Sequence, residues 1–314
     1  MRRVVLIVLG VVVAVSMLIV LLGKPGMKTP AKQPAAPSSA AAMAADPIAA
    51  KLEALRRQLP ADPQQAIAAL EAFVKEFSTS DVAAQAMIEM ANVYQRVNKL
   101  LEEKQVLERV ISTYSQSPAA AAASQRLANI NVGLMFSAVE TPDSFMYQVQ
   151  PGDTLYQISR KYETTVEMLM KSNNITSSLI KPGMKLKVVR AVFSIDVDKS
   201  DKVLTLKTDK EIIKKYLIAV GENNSTPTGK FKVLNRIVNP VWYKTGAIVP
   251  PGSPENILGT RWLGLSEPGY GIHGTTETGP IQSQTTQGCL RLRNEDVEEL
   301  YTIVPVGTQV TITD

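Results

Sequence analysis

The chain has one cysteine and one histidine in 314 residues. A single cysteine forms no internal disulfide, and one His with one Cys does not close a zinc site without carboxylate help. No metal and no cofactor are therefore expected. Aromatic residues make up only 5% of the chain, and its lysines and arginines are spread along its length. The interleaving of arginine and aromatics that marks a nucleic-acid surface is missing, so no nucleic-acid partner is expected. The net charge of +5 is mild. It fits a solvated basic surface, or contact with an acidic polymer.

Charge is also missing from Val4 to Leu22, directly after Arg2 and Arg3. A run on the order of 20 apolar residues crosses a hydrocarbon core as a helix. Residues 1–23 are expected to be an uncleaved membrane anchor with its basic end inside, a cleaved secretory signal being the alternative. No cysteine follows the run, which excludes a lipid-modified cysteine there. Either way the remainder of the chain is expected to be exported. Residues 24–46 are rich in Pro, Ala and Ser and have little to bury, as in an extended tether.

The remaining length exceeds one ordinary core and predicts a multidomain chain. From 47 to 137 apolar residues recur at helical spacing, and the pattern repeats. An offset of 37 residues places Leu70 on Leu107, Val74 on Ile111, Phe77 on Tyr114 and Asn92 on Asn129. Such a period points to stacked helical hairpins. The segment resembles tetratricopeptide-type repeats without their full consensus. It is read as a helical spacer or self-association module, or as a docking groove for a partner protein.

Residues 145–189 read as strand, helix, helix and strand. Pro151-Gly152-Asp153 makes a turn, Thr154 with Gln157 a capping box, and Thr164 with Glu167 a second one. Through "VQPGDTLYQIS", "YETTVEMLMKSNN" and "IKPGMKLKV" this stretch resembles a LysM module. The resemblance implies binding to glycan strands of peptidoglycan through Gly152, Asp153 and Thr154 in one loop and Asn174, Ile175 and Thr176 in another.

From 191 to 314 short alternating runs rich in Val, Ile and Thr predict a mainly-β domain. A helix is expected at "NEDVEELYTIV", with Asn294 as its cap. "GIHGT" and "TQGCLRL" hold the lone His273 and Cys289, 16 residues apart, a spacing that suits an excursion between two adjacent strands. A thiol is only slightly ionised at neutral pH, and an imidazole that takes its proton makes it a nucleophile. Gly288 leaves room for backbone N–H groups to face a substrate oxygen, and Arg291 holds a positive charge nearby.

These motifs, with "STPTGKFKVLNRIVNPVWY" and "PGSPENILGTRWLGLS" upstream, resemble the signature of the L,D-transpeptidases, or YkuD family. The resemblance implies a β-sandwich-like peptidoglycan enzyme. Cys289 would attack the third residue of a tetrapeptide stem, release D-alanine and hold the tripeptide as a thioester for an amine of a second stem. His273 would be the base, oriented by the carbonyl of Gly274, and the N–H groups of Gly288 and Cys289 would hold the oxyanion. Arg291 would bind a carboxylate or support the cysteine loop. Trp242, Tyr243, Trp262 and Tyr270 are candidates for lining the stem cleft. Gln287 stands where many members carry a second histidine. A non-catalytic wall-binding scaffold and an L,D-carboxypeptidase using water remain the competing readings.

Overall fold

The computed structural model describes residues 46–244 and 246–314. The expected anchor at 1–23 and the linker up to residue 45 lie outside the described residues. Among the described residues no helix is long and apolar enough to cross a membrane. Pro47–Asp314 forms one compact unit.

Among the described residues five helices come first: α1 Pro47–Arg57, α2 Pro63–Glu76, α3 Asp81–Arg96, α4 Leu100–Thr113 and α5 Pro118–Met135. Asp62, Ser80 and Ser117 accept backbone N–H groups in the first turns of α2, α3 and α5, and Pro63 and Pro118 occupy opening positions where no donor is needed. Helices α2 and α4 start at 63 and 100, and α3 and α5 at 81 and 118, so each pair is offset by the same 37 residues seen in the sequence. Buried Ala83, Ala84, Ala86 and Ala91 let neighbours approach α3 closely. Glu103, buried on α4, receives Arg126 of α5 at 2.6 Å, and the same guanidinium donates to Asn92 of α3.

The next segment is β1 Ser144–Gln148, α6 Leu155–Lys161, α7 Val166–Ser172 and β2 Lys185–Val189, the two strands pairing antiparallel. The Thr154–Gln157 capping box opens α6. The second cap falls one residue later than expected: Thr165 accepts the Met168 N–H, while the Thr164 hydroxyl is buried without a partner. The reason is packing. Thr165 also donates to the Thr302 carbonyl, which ties the start of α7 to the C-terminal segment.

The βααβ segment has its own small core of Val149, Leu155, Ile158, Leu169, Leu186 and Val188. It is nonetheless joined on both sides, since Met168 and Val189 pack in the core of the β domain beside Val132 of α5. Lys187 of β2 is fully buried and donates to the Leu134 and Ser137 carbonyls at 2.7 and 2.9 Å. An ammonium there meets the carbonyl-rich end of α5, where a positive charge is favoured. Burial pushes its pKa down to about 8. Lys187→Met, which keeps the stem and removes the charge, is expected to lower stability by about 1–3 kcal/mol. Urea unfolding checks this; an unchanged midpoint would refute the clamp.

The C-terminal segment contains β3 Ser194–Asp198, β4 Val203–Lys207, β5 Ile212–Leu217, β6 Gly229–Val238, β7 Trp242–Lys244, β8 Ala247–Val249, β9 Arg261–Leu265, β10 Gly271–His273, β11 Leu290–Arg291, α8 Asn294–Ile303 and β12 Gln309–Thr313. Eight of these strands form one sheet in the order β11-β10-β9-β6-β12-β3-β4-β5, and β7–β8 is a separate hairpin. The expected sandwich of two sheets is thus corrected to a single curled sheet. Its two edges meet: Ala219, just after β5, exchanges hydrogen bonds of 2.9 and 3.0 Å with Arg291 of β11. This bridge joins β11 to the chain just beyond β5 and leaves Ile212 and Leu217 of β5 exposed. Val297, Leu300 and Ile303 of α8 fill the concavity.

Candidate active site

The site lies where the sheet closes. Strand β10 runs parallel to β11, pairing Ile272 with Leu290 and His273 with Arg291. Side chains alternate along a strand, and Ile272, Leu290 and Leu292 all enter the core, so Cys289, Arg291 and His273 share the opposite face. Strand β9 sets Trp262 beside His273, and the two rings stack with centroids 5.9 Å apart and planes 17° apart. Gly271 makes room for the indole, since a Cβ there would fall 2.5 Å from it.

His273 is only 2% exposed, and its Nδ1 lies 2.6 Å from the Gly274 carbonyl oxygen. A carbonyl only accepts, so Nδ1 carries the proton and Nε2 is left with its lone pair. Burial pushes the His273 pKa down to about 4; the Gly274 contact opposes this and the Arg291 charge adds to it. The Cys289 thiol is half-buried, with Sγ 3.6 Å from the Gly269 carbonyl oxygen. Burial raises its pKa, while the Gly271 backbone and the Arg291 charge pull the other way. Both shifts favour a neutral thiol and a neutral imidazole at rest.

Two threonines fix the cysteine turn. Thr286 Oγ1 accepts the Gly288 N–H at 3.0 Å and donates to the Cys289 carbonyl at 2.7 Å. Thr226 Oγ1 accepts the Gly221 N–H at 2.8 Å and donates to the Gly288 carbonyl at 2.9 Å. Gly288 has φ of +128°, and a Cβ on it would come 2.5 Å from the Tyr270 ring, so glycine is required twice over. The expected Gly288 oxyanion donor is corrected here: its N–H is engaged by Thr286. The Cys289 N–H has no acceptor within the described protein.

Arg291 is 3% exposed and pairs with Glu277 at 2.8 Å, so its guanidinium braces the excursion between His273 and Cys289 rather than facing outward. Gln287 is exposed at the turn. Trp262 and Tyr270 join the site through His273 and Gly288. Trp242 and Tyr243 sit instead on the β7–β8 hairpin, Tyr243 largely exposed and Trp242 beneath Lys244. Further up the chain, Gly152, Thr154, Asn174 and Thr176 are exposed, whereas Ile175 packs against the small core. Asp153 accepts from the Tyr147 hydroxyl at 2.6 Å and the Gln150 N–H at 2.7 Å, and these bonds hold its carboxyl below the usual range.

Sequence reasoning passed over Thr226, which lies 63 residues before Cys289 and carries no local signal. It also misjudged Asn294. The N-cap of α8 is Arg293, and Asn294 turns its side chain away from the helix to accept the Thr260 and Thr275 N–H groups at 3.1 and 3.2 Å.

Residues 193–312 match the L,D-transpeptidase catalytic domain, YkuD, and residues 147–189 match the LysM domain. The YkuD protein of Bacillus licheniformis is 37% identical over 177 residues, covering 54% of this chain and 98% of that protein. Its namesake in Bacillus subtilis is 36% identical over 173 residues, covering 53% and 97%. The solved L,D-transpeptidase from Mycobacterium smegmatis gives a partial likeness only, at 20% identity and TM-score 0.33 over 42% of this chain and 64% of that one. With a lone thiol and a lone imidazole on one face of adjacent strands, and with relatives matched over nearly their whole length, the chain belongs to the L,D-transpeptidase family.

Proposed function

We propose that this enzyme cross-links peptidoglycan through a thioester on Cys289. The observation that carries the reading is the 2.6 Å contact between His273 Nδ1 and the Gly274 carbonyl: a carbonyl only accepts, so Nδ1 donates and Nε2 is left to take the thiol proton. As Sγ attacks the carbonyl of the third residue of a tetrapeptide stem, its proton passes to Nε2 and an S–C bond forms. The Cys289 N–H stabilises the oxyanion. The C–N bond to D-alanine then breaks, and imidazolium protonates the leaving amine. An amine of a second stem attacks the thioester, His273 takes its proton, and the thiol is restored.

The LysM segment holds the enzyme to glycan strands through Gly152, Thr154, Asn174 and Thr176, whose exposure supports this. The common 37-residue offset of two helix pairs supports a tetratricopeptide-like module that spaces the catalytic segment or docks a protein. Residues 1–23 anchor the chain in the membrane, with the catalytic segment outside.

The test uses residues 46–314, which include the whole compact unit, with purified tetrapeptide muropeptides and mass spectrometry of the products. Dimers lacking one D-alanine are expected. Tripeptide monomers alone would identify a hydrolase, and no product together with no acylation of Cys289 would leave a scaffold.

A further inference from the structure

Among the described residues the base has no carboxylate partner. Its Nδ1 is held by the Gly274 carbonyl, a single backbone acceptor at the end of β10, where chain 274–280 leaves the sheet. That carbonyl belongs to the same rigid amide plane as the Thr275 N–H, because the peptide bond between residues 274 and 275 carries both groups on opposite sides. The Thr275 N–H donates to Asn294 Oδ1 at 3.2 Å. The same oxygen accepts the Thr260 N–H at 3.1 Å, so it is anchored from a second strand end as well.

The surroundings are shaped for this oxygen. A Cβ on Gly274 would lie 2.2 Å from it, and one on Gly259 2.3 Å from it. Two glycines thus leave the space that the carboxamide fills. Asn294 opens α8, where Val297 and Leu300 are buried in the core, so the oxygen sits on a rigid element.

We propose that Asn294 is a positioning residue for the base, fixing and polarising the 274–275 peptide whose carbonyl holds His273 Nδ1. The inference rests on His273 acting as base toward Cys289. A hydrogen bond to the N–H end of an amide strengthens its oxygen as an acceptor. The chain Asn294, peptide, His273 then takes the place of the carboxylate that orients imidazole in other hydrolytic triads. It fixes the tautomer without placing a charge beside the ring.

The lone histidine makes the test direct. Full-length protein labelled with 15N-histidine gives one imidazole to follow, so its tautomer and titration are read without substrate. The titratable and charged groups around the two residues are Cys289 and Arg291 for His273, and Arg293, Glu295, Asp296, Glu298 and Arg261 around the start of α8. All stay in place in the variants.

Asn294→Ala is expected to reduce the Nδ1–H tautomer and to lower the rate of Cys289 acylation about 10- to 100-fold with little change in KM. Asn294→Asp keeps an oxygen acceptor and adds negative charge, so it should restore the tautomer and raise the His273 pKa above that of the native protein. Thermal unfolding is measured alongside. If Asn294→Ala does not fold, Asn294→Asp decides, through its tautomer and titration. A native tautomer and rate in Asn294→Ala, or an unshifted His273 titration in Asn294→Asp, would overturn the proposal. Failure of the base assignment looks different: the tautomer would respond as described while acylation stayed indifferent to His273→Ala.

Discussion

Cys289→Ser is expected to abolish covalent capture by carbapenem-type acylating agents and to lower product formation by at least about 1,000-fold. The reason lies in the neighbours more than in the sulfur alone. A serine hydroxyl is far less acidic than a thiol, and its base, with a pKa pushed down to about 4, is weak. A base so weakened takes a proton from a thiol far more readily than from an alcohol. The turn itself should survive the change, since Thr286 and Thr226 hold it through backbone atoms only. Intact mass after incubation gives the answer, because Cys289 is the only thiol in the chain. An adduct on Cys289→Ser at the native rate would show that another nucleophile is at work.

Much of this site was legible because the sequence is so poor in reactive groups. With one His and one Cys, pairing required no choice among candidates, and the 16-residue gap fits the excursion between β10 and β11. The alternating runs "FSIDVD", "VLTLK" and "QVTIT" correspond to β3, β4 and β12, whose half-buried faces impose a period of two, while "FKVLNRIV" corresponds to β6, which buries only Val233. Strands β9, β10 and β11 had no such pattern to offer: β9 buries three successive residues, Leu263 to Leu265, and β11 is two residues long and exists through its partners. Sheet closure was hidden for a related reason, as the Ala219–Arg291 pair joins positions that share no periodicity. The Gly288 donor failed because a threonine two residues earlier competes for its N–H, and Asn294 failed because a side chain able to cap a helix was drawn instead to two backbone donors in a glycine-lined gap. The competitor at Gly288 is local, two residues away, whereas at Asn294 two partners distant in sequence overrode the local capping preference. The compactness of Pro47–Asp314 escaped for the same reason: the buried Lys187 that binds the end of α5 reads in sequence as one more lysine of an alternating strand.

His273→Ala should remove acylation as completely as loss of the thiol does, by at least about 1,000-fold, since no other imidazole exists to replace it. Gln287, at the position where the family resemblance puts a second histidine, carries an amide that does not titrate. The pH dependence is the sharper part of this expectation. Burial holds His273 neutral down to about pH 4, so the acid limb of the native acylation rate should lie near 4 rather than near the ordinary 6.5. Alkylation of Cys289 by iodoacetamide, which needs thiolate, should instead be slow at neutral pH and accelerate only above the ordinary cysteine range, because burial raises the thiol. A preformed thiolate–imidazolium pair would make both reactions fast together at neutral pH, and that coincidence would refute the neutral resting pair. The same burial has a stability consequence with a definite sign. Between about pH 4 and 6.5 the unfolded chain binds a proton at residue 273 that the folded chain does not, so this contribution to stability declines as pH falls through that window. In His273→Ala that contribution should vanish, leaving a shallower decline in the unfolding midpoint from pH 6.5 to 4. An unchanged decline would mean that the imidazole is not held neutral by the fold, and the assignment of Nε2 as the free base would fall with it.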